Sequence, residues 1–377
     1  MVPKVSVVMP VRNAGETLAP AVKSVLMQTL QEFELIIVDD GGGWSRFEQN
    51  AYNDKQVKIE GGVPGRSSSL SVKQKLADDV WLRIMRFWKE CLRDNRIKII
   101  PLPPTGIVGA LNAGIDVSAA PYIARMDADD VCSPRRLELQ LAHMENNPDC
   151  ALLGSRVRKF PRRALKGGML HYERWLNSVV SPEEINRDFF VESPFAHPSV
   201  MFRREDFLSL GGYRDMGWPE DYDLWLRFAQ AGKGMAKLKD TLLFWRDGED
   251  RLSRRSGVYS AEKFREVKAH FLKGWRLNGV SDVQVWGSGP DGKTWAKLLI
   301  KNGFRVLQFI DIDKKKVGGR ACGGSTVDRG IPVVWPGDII KGVPVLCAVG
   351  IKGAREQIRD YLTLEGYKEP EEFMFLS

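Results

Sequence analysis

Short apolar runs and amphipathic segments alternate along the first 40 residues. Residues 5–9 (VSVVM) form a β-rich run, residues 16–30 place leucine and valine on one helical face, and residues 33–38 (FELIIV) form a second apolar run. A period near 3.6 predicts a helix, whereas a short unbroken apolar run between turn residues predicts a buried strand. This order predicts a βαβ unit within a parallel sheet.

The alternation continues to about residue 250. Residues 41–75, rich in glycine and serine, predict a long loop. Further strands and helices are predicted at residues 96–100 and 122–126, and at 78–93, 106–114 and from Pro134, which is placed in the first turn of its helix. We expect the apolar face of the helix at 78–93 to pack on the domain, with docking to a membrane surface or an acceptor as the alternative.

The pattern then changes and begins again. Residues 260–276 predict a charged amphipathic helix, after which a new series of strand, glycine loop and helix starts at residue 282. The sequence therefore predicts two α/β domains, at residues 1–255 and 281–377, joined by a helical connector at 256–280.

Composition changes this picture in few respects. Of the 377 residues, 43% are hydrophobic and 28% are charged, which is typical of a folded globular protein and excludes general disorder. The formal net charge of +8 favours diphosphate or other anionic ligands, or an anionic membrane surface. Because neither a zinc-finger spacing nor an RNA-binding aromatic motif accompanies this charge, we expect no nucleic-acid partner.

Two features bear on the compartment. The five cysteines include no Cys-x-x-Cys pair, which predicts reduced thiols in a cytoplasmic setting. The N-terminal apolar run is short and is broken by Pro10 and Arg12, and no run of 18 apolar residues occurs, so we expect neither a signal peptide nor a membrane span. Peripheral attachment to the inner face of the cell membrane stays open, as does assembly into a homo-oligomer.

Acidic residues stand at the ends of two predicted strands. Asp39 and Asp40 end one strand, and Asp127, Asp129 and Asp130 follow another. Open parallel sheets bind ligands beyond the carboxyl ends of their strands, where crowded carboxylates repel unless a cation or hydrogen-bond donors offset their charge. An Asp-x-Asp spacing suits Mg²⁺ or Mn²⁺ beside a diphosphate. The alternative is that these aspartates cap helices.

A third acidic pair, Glu220 and Asp221, is placed at the start of an amphipathic helix. The positive end of the helix dipole stabilises ionised carboxylates there. Such a carboxylate can act as a general base toward a sugar or lipid hydroxyl, and the alternative is again a capping role.

Taken in order, these segments resemble family 2 glycosyltransferases, which have the GT-A fold, over about residues 3–260. The matching segments are VSVVMPVRNAGETL, FELIIVDDGG, GALNAGIDVSAAPYIARMDADD, SPFAHPSVMFRR, GGYRDMGWPEDYDLWLRFAQAG and LLFWRDGEDRLSRR. The resemblance implies inverting transfer of a sugar from a nucleotide-diphosphate donor, a UDP-sugar above all, to a hydroxyl of a glycan or polyprenyl-linked acceptor. It also implies a role in cell-surface polysaccharide synthesis.

The resemblance further implies residue roles. Asp221 would be the catalytic base, with Glu220 beside it. Asp129 would bind the metal, with Asp127 near it and near the ribose. The residues expected to contact the nucleotide sugar are Pro10, Arg12, Glu16, Asp39, Asp40, Asn112, Asp127, Asp129 and Arg254, and further diphosphate candidates are Arg246, Arg251 and Arg255. His197 is expected to be a core histidine, with a place near the acceptor or metal as the alternative.

The second domain contains a glycine motif. Gly287, Gly289 and Gly292 fit Gly-x-Gly-x-x-Gly between a strand and a helix, and Asp311 ends the next strand. This resembles the Rossmann-like domains found beside sugar-modifying enzymes. Because Asp291 places an acidic side chain where a pyrophosphate would lie, a structural, oligomerising or partner-binding role is expected. The alternative is bound NAD(P), in an NAD(P)-dependent sugar-modifying oxidoreductase.

Overall fold

The computed structural model of the chain describes residues 2–41, 93–248, 251–322 and 330–377. The loop predicted at 41–75 and the helix predicted at 78–93 lie outside these residues, apart from their end residues Gly41 and Arg93. The chain divides into two compact units. The first comprises Met1–Ser178, Phe195–Arg214 and Lys233–Gly248, and the second comprises Val179–Pro194, Asp215–Gly232 and Glu249–Ser377.

Eleven α-helices lie in the described residues. They are α1 (Leu18–Leu26), α2 (Gly106–Asp116), α3 (Arg136–Asn146), α4 (Gly167–Ser178), α5 (Pro182–Asp188), α6 (Arg204–Ser209), α7 (Glu220–Gln230), α8 (Leu252–Arg255), α9 (Ala261–Phe271), α10 (Pro290–Lys301) and α11 (Ala354–Leu364). Short 3₁₀ helices cover Gly15–Thr17, Arg162–Ala164, His197–Ser199, Gly257–Tyr259 and Pro336–Asp338. A π-helical segment, Leu272–Arg276, follows α9 and completes the helix predicted at 260–276. In the described part of the chain, no helix has the length and apolar character needed to cross a bilayer.

An eight-stranded sheet forms the centre of the first unit. Its strands are β1 (Val5–Val11), β2 (Phe33–Asp40), β3 (Ile97–Leu102), β4 (Tyr122–Arg125), β5 (Val131–Cys132), β6 (Cys150–Phe160), β7 (Met201–Arg203) and β8 (Gly234–Arg246). They lie in the order β3-β2-β1-β4-β7-β6-β8-β5. The first four strands across the sheet are parallel, whereas β7 runs antiparallel to both of its neighbours and β5 runs antiparallel to β8.

The predicted βαβ unit is confirmed. Every residue of β1 and β2 is buried, and α1 buries one face through Leu18, Val22 and Val25. Helix α2 packs directly on these strands at Gly114, where a Cβ atom would lie 2.6 Å from Val8 Cγ1. Since real Cβ atoms do not approach so closely, only glycine allows this contact.

The placement of Pro134 in the first turn of a helix was wrong. Helix α3 begins at Arg136, without a side-chain cap. The two residues before Arg135 form backbone hydrogen bonds to other segments instead. Ser133 N donates to Leu242 O (2.9 Å), and Pro134 O accepts from Thr29 N (2.8 Å). Helix α1 ends at Leu26 rather than near residue 30, and Thr29 bonds outside it.

A six-stranded sheet forms the centre of the second unit. Its strands are β9 (Asp282–Trp286), β10 (Arg305–Ile310), β11 (Arg320–Ala321), β12 (Ile331–Val334), β13 (Val345–Cys347) and β14 (Phe373–Phe375). The order is β11-β12-β10-β9-β13-β14, and all pairs except β11–β12 are parallel. With α10 between β9 and β10, this is the doubly wound arrangement expected of a Rossmann-like domain. The predicted domain boundaries stay a prediction, and α7, which carries Glu220 and Asp221, lies in this second compact unit.

Candidate functional site

The carboxyl ends of three parallel strands meet at one edge of the first sheet. Val11 at the end of β1 pairs with Asp39 in β2, and Val8 pairs with Arg125, the last residue of β4. The segments that follow these strands therefore start from neighbouring positions. The acidic residues that were predicted to stand at this edge do so.

An acidic loop between β4 and β5 carries three of the predicted carboxylates. Asp127, Asp129 and Asp130 each place a carboxylate oxygen within 4.8 Å of the others. Asp130 is buried, whereas the other two are partly exposed. Oxygen donors at this spacing fit a single Mg²⁺ or Mn²⁺ ion.

Guanidinium groups and amides offset the charge of this acidic loop. Arg125 Nη1 lies 2.5 Å from Asp127 Oδ1. Arg246 donates its backbone amide to Asp130 Oδ1 (2.6 Å) and its Nε to Asp129 O (2.7 Å). Although burial lowers the pKa of Arg125, the adjacent Asp127 raises it more, so the guanidinium stays charged. The repulsion expected among these carboxylates is therefore offset by the protein itself.

A second buried arginine supports the base of the loop. Arg136 Nη2 donates to Arg125 O (2.8 Å) and to Val200 O (3.2 Å), and its Nε donates to Gln140 Oε1 (3.0 Å). Gln140 Nε2 in turn donates to Ser199 O (2.9 Å). Burial lowers the pKa of Arg136 to about 10, which still leaves the group charged at neutral pH. No motif in the sequence had indicated a role for the two buried arginines, Arg125 and Arg136.

Asp40 is engaged by the start of α2. Its Oδ1 accepts hydrogen bonds from Thr105 N (2.5 Å), Thr105 Oγ1 (3.1 Å) and Gly106 N (3.1 Å). Arg12 Nη1 lies 3.8 Å from the other carboxylate oxygen, and the Arg12 side chain is mostly exposed. Asp40 thus caps a helix from a neighbouring strand, as the alternative interpretation held. The buried Asp39 lies on the opposite face of β2, and its contact with the nucleoside stays a prediction.

The side chain of Asn112 in α2 forms two hydrogen bonds with the backbone of Tyr213. Its Nδ2 donates to Tyr213 O (3.0 Å), and its Oδ1 accepts from Tyr213 N (3.1 Å). The Tyr213 hydroxyl lies 2.7 Å from His197 Nε2. Burial lowers the pKa of His197 well below its ordinary value, and the charge of Arg125 lowers it further, so His197 is a neutral core histidine, as predicted. A contact between Asn112 and the sugar nucleotide stays a prediction.

The other predicted residues of the first unit lie in or after β1. Pro10 is buried in the strand, and Glu16 is exposed in the 3₁₀ helix Gly15–Thr17. Thr17 Oγ1 donates to Ala128 O (3.4 Å), which links this segment to the acidic loop.

The acidic pair Glu220 and Asp221 lies in the first turn of α7, as predicted. Glu220 is buried, and its Oε2 accepts a hydrogen bond from the Tyr259 hydroxyl (2.6 Å). Asp221 is partly exposed, and its Oδ1 accepts from Tyr222 N (2.7 Å). Tyr259 ends the 3₁₀ helix that follows α8, so the chain just beyond the exposed Arg254 supplies a direct partner to Glu220. Sequence patterns gave no signal for Tyr259.

The glycine loop (residues 287–292) of the second unit closes on itself. A Cβ atom at Gly292 would lie 1.8 Å from Gly287 O. Asp311 accepts hydrogen bonds from Ser288 N (3.0 Å) and Ser288 Oγ (2.5 Å), and Lys316 Nζ lies 3.2 Å away. Burial raises the pKa of Asp311, but these hydrogen bonds lower it more, to about 2. The Asp311 carboxylate is thus bound by the protein's own donors.

Known proteins of one family match this chain. The family model for Glycosyl transferase family 2 matches residues 6–55 and 79–211. The O-antigen biosynthesis glycosyltransferase WbnJ of Escherichia coli is 30% identical over 223 residues, which cover 59% of this chain and 70% of that protein. This chain belongs to glycosyltransferase family 2, and its GT-A fold, with a second α/β sheet toward the C-terminus, is as predicted.

Two further relatives differ in how much of their length is matched. The Amylovoran biosynthesis glycosyltransferase AmsE of Erwinia amylovora is 36% identical over 160 residues, or 42% of this chain and 58% of that protein. The UDP-Gal:alpha-D-GlcNAc-diphosphoundecaprenol beta-1,3-galactosyltransferase of Escherichia coli is 26% identical over 281 residues, or 74% of this chain and 86% of that protein. The chain thus spans less than two thirds of AmsE.

Proposed function

We propose that this chain is an inverting glycosyltransferase that moves a sugar from a UDP-sugar to a hydroxyl of a glycan or polyprenyl-linked acceptor. The process served would be the synthesis of a cell-surface polysaccharide. The observation that carries the proposal is the acidic loop, whose three carboxylates lie at the edge of the sheet where β1, β2 and β4 end. The names of AmsE and WbnJ support the process, and the name of the galactosyltransferase supports the donor and the acceptor class.

The residues of the acidic loop would serve the leaving group. Asp127 and Asp129 would hold Mg²⁺ or Mn²⁺, which when bound supplies positive charge to the departing nucleoside diphosphate. Arg12 is mostly exposed at the same edge and offers a guanidinium for phosphate oxygens. Arg254, which belongs to the second unit, is also exposed and is the other arginine proposed to contact the phosphates.

The residues of α7 would serve the acceptor. Asp221 would take the proton of the attacking hydroxyl as the new glycosidic bond forms and the bond to the diphosphate breaks. A single displacement of this kind inverts the anomeric configuration. Glu220 is bound to the Tyr259 hydroxyl and would position the first turn of the helix rather than take the proton.

The test is a panel of nucleotide sugars, with and without Mn²⁺, read as thermal stabilisation and as donor turnover. We expect one donor to raise the melting temperature of the wild type only when Mn²⁺ is present. Asp129→Ala should lose that stabilisation, whereas Asp240→Ala, an exposed aspartate in β8, should keep it. Stabilisation by NAD(P) alone, unaffected by Mn²⁺ and by Asp129→Ala, would reject the proposal in favour of an oxidoreductase.

A further inference from the structure

Arg125 has a buried side chain that uses little of its hydrogen-bonding capacity. It ends β4, directly below the acidic loop, and its side chain is only 6% exposed. Its Nη1 forms the ion pair with Asp127, while its Nε has no hydrogen-bond partner among the described residues. A buried guanidinium group with an unused donor is costly, so a purely structural role explains it poorly.

The neighbouring Arg136 fixes Arg125 from below. Its guanidinium donates to the carbonyl oxygen of Arg125, and its acceptors are neutral groups of β4, α3 and the segment before β7. Two buried positive charges therefore lie side by side under the acidic loop. Repulsion between the two guanidinium groups destabilises the folded protein unless negative charge lies nearby.

Positive groups of the protein lie beside the acidic loop before any ligand binds. Arg125 forms an ion pair with Asp127, and Arg246 donates hydrogen bonds to Asp129 O and Asp130 Oδ1. A divalent cation arriving alone must compete with Arg125 for Asp127. A nucleoside diphosphate brings negative charge of its own, so a cation that arrives with a diphosphate is repelled less by Arg125 than the cation alone.

We propose that Arg125 is the built-in counter-ion of Asp127, and that it makes the acidic loop bind a divalent cation together with an anionic nucleotide rather than alone. Arg125 is in this sense a positioning residue, because it acts on ligands through Asp127. The inference rests on the proposed function for the identity of the ligands. It concerns the part that Arg125 plays in coupling the binding of the cation to the binding of the nucleotide.

The experiment is a calorimetric titration of Mn²⁺ alone into the wild type and Arg125→Met, repeated with saturating UDP. In the wild type, UDP should tighten Mn²⁺ binding by about tenfold or more, a typical coupling between two sites. In Arg125→Met, Mn²⁺ alone should bind about tenfold more tightly, and the gain from UDP should shrink. Arg125→Lys keeps the charge and should resemble the wild type.

Unchanged or weaker Mn²⁺ binding by folded Arg125→Met would overturn the proposal, because it would show that Arg125 does not compete with the cation for Asp127. Loss of a residue that only stabilises the fold would not tighten Mn²⁺ binding. If this variant does not fold, the double variant Arg125→Met/Asp127→Asn decides, since it removes both partners of the ion pair and leaves no buried charge unpaired. Because Asp127 is held by Arg125 in the wild type, the double variant should bind Mn²⁺ alone no more than about threefold more weakly than the wild type, and a loss above about tenfold would contradict the proposal. If UDP binds no variant, the proposed function fails, while the comparison with Mn²⁺ alone still decides the role of Arg125.

Discussion

The acidic loop after β4 and the glycine loop after β9 both begin at the carboxyl edge of a parallel sheet. In the acidic loop, Asp127 and Asp129 stay partly exposed, with carboxylate oxygens close together. Beside the glycine loop, Asp311, which follows β10, accepts hydrogen bonds from Ser288 of that loop. The two loops thus share a position in their sheets, and the acids beside them differ in exposure, since Asp127 and Asp129 are partly exposed whereas Asp311 is buried.

We expect a ligand to bind at the sheet edge whose carboxylates stay partly exposed. Two buried arginines, Arg125 and Arg136, lie close to the acidic loop, and Arg125 forms an ion pair with Asp127, while Asp127 and Asp129 stay partly exposed. The donors around Asp311 instead occupy the carboxylate that a dinucleotide ribose would need. This is why we propose the acidic loop, rather than the glycine loop, as the site of function.

The largest expected effect tests how tightly the glycine loop is closed. Gly292→Ala should lower the free energy of unfolding by about 3 kcal/mol, because the added Cβ meets a backbone oxygen that cannot move aside. Denaturant unfolding followed by circular dichroism measures this. Gly289→Ala is the matched control, since nothing lies within 4 Å of its Cβ position. Equal stability of the two variants would show that the loop is open.

A smaller effect is expected at Asp40, the acid that the first unit uses for its own fold. Asp40→Ala removes the cap of α2 and should cost about 1–2 kcal/mol of unfolding free energy. Asp40→Asn keeps one acceptor oxygen and should cost less. Donor affinity in Asp40→Asn should stay within about twofold of the wild type, and a tenfold loss, equivalent to about 1.4 kcal/mol, would mean that Asp40 contacts the nucleotide instead.

The smallest effect concerns pH and Asp311. Its pKa is lowered from 3.8 to about 2, so its ionised form stabilises the folded state above pH 3.8, and this contribution is lost as the pH falls through 2. Asp311→Asn should therefore reduce the fall in melting temperature between pH 4 and pH 2. Ser288→Ala removes one donor and should move part of that fall to higher pH. A wild-type profile kept by Asp311→Asn would contradict the assigned hydrogen bonds.

Elements built from local patterns were predictable from the sequence. The strands around residues 5–9 and 33–38 and the helix from Glu220 follow from apolar periodicity, which reflects burial on one face. The start of α3 was misplaced because tertiary hydrogen bonds to Ser133 and Pro134 outweigh the local preference of proline for a first turn.

The candidate site was predictable in its acids and not in their partners. Asp127, Asp129 and Asp130 adjoin one another in sequence, so a motif reveals them. Their electrostatic setting depends on Arg125 and Arg136, which no motif indicated, and on Arg246, which was predicted only as a diphosphate candidate and reaches Asp130 from 116 residues away. The capping of α2 by Asp40 likewise depends on a contact 65 residues away, which only the folded chain brings about.

The most direct test of the central claim separates binding from chemistry at Asp221. With the donor that the panel identifies, Asp221→Asn should bind in the presence of Mn²⁺ within about threefold of the wild type, while turnover falls by about a hundredfold or more, as expected on removal of a general base. Asp240→Asn is the matched control and should keep both. Full turnover by Asp221→Asn would contradict the account, because the acceptor proton would then be taken by another group.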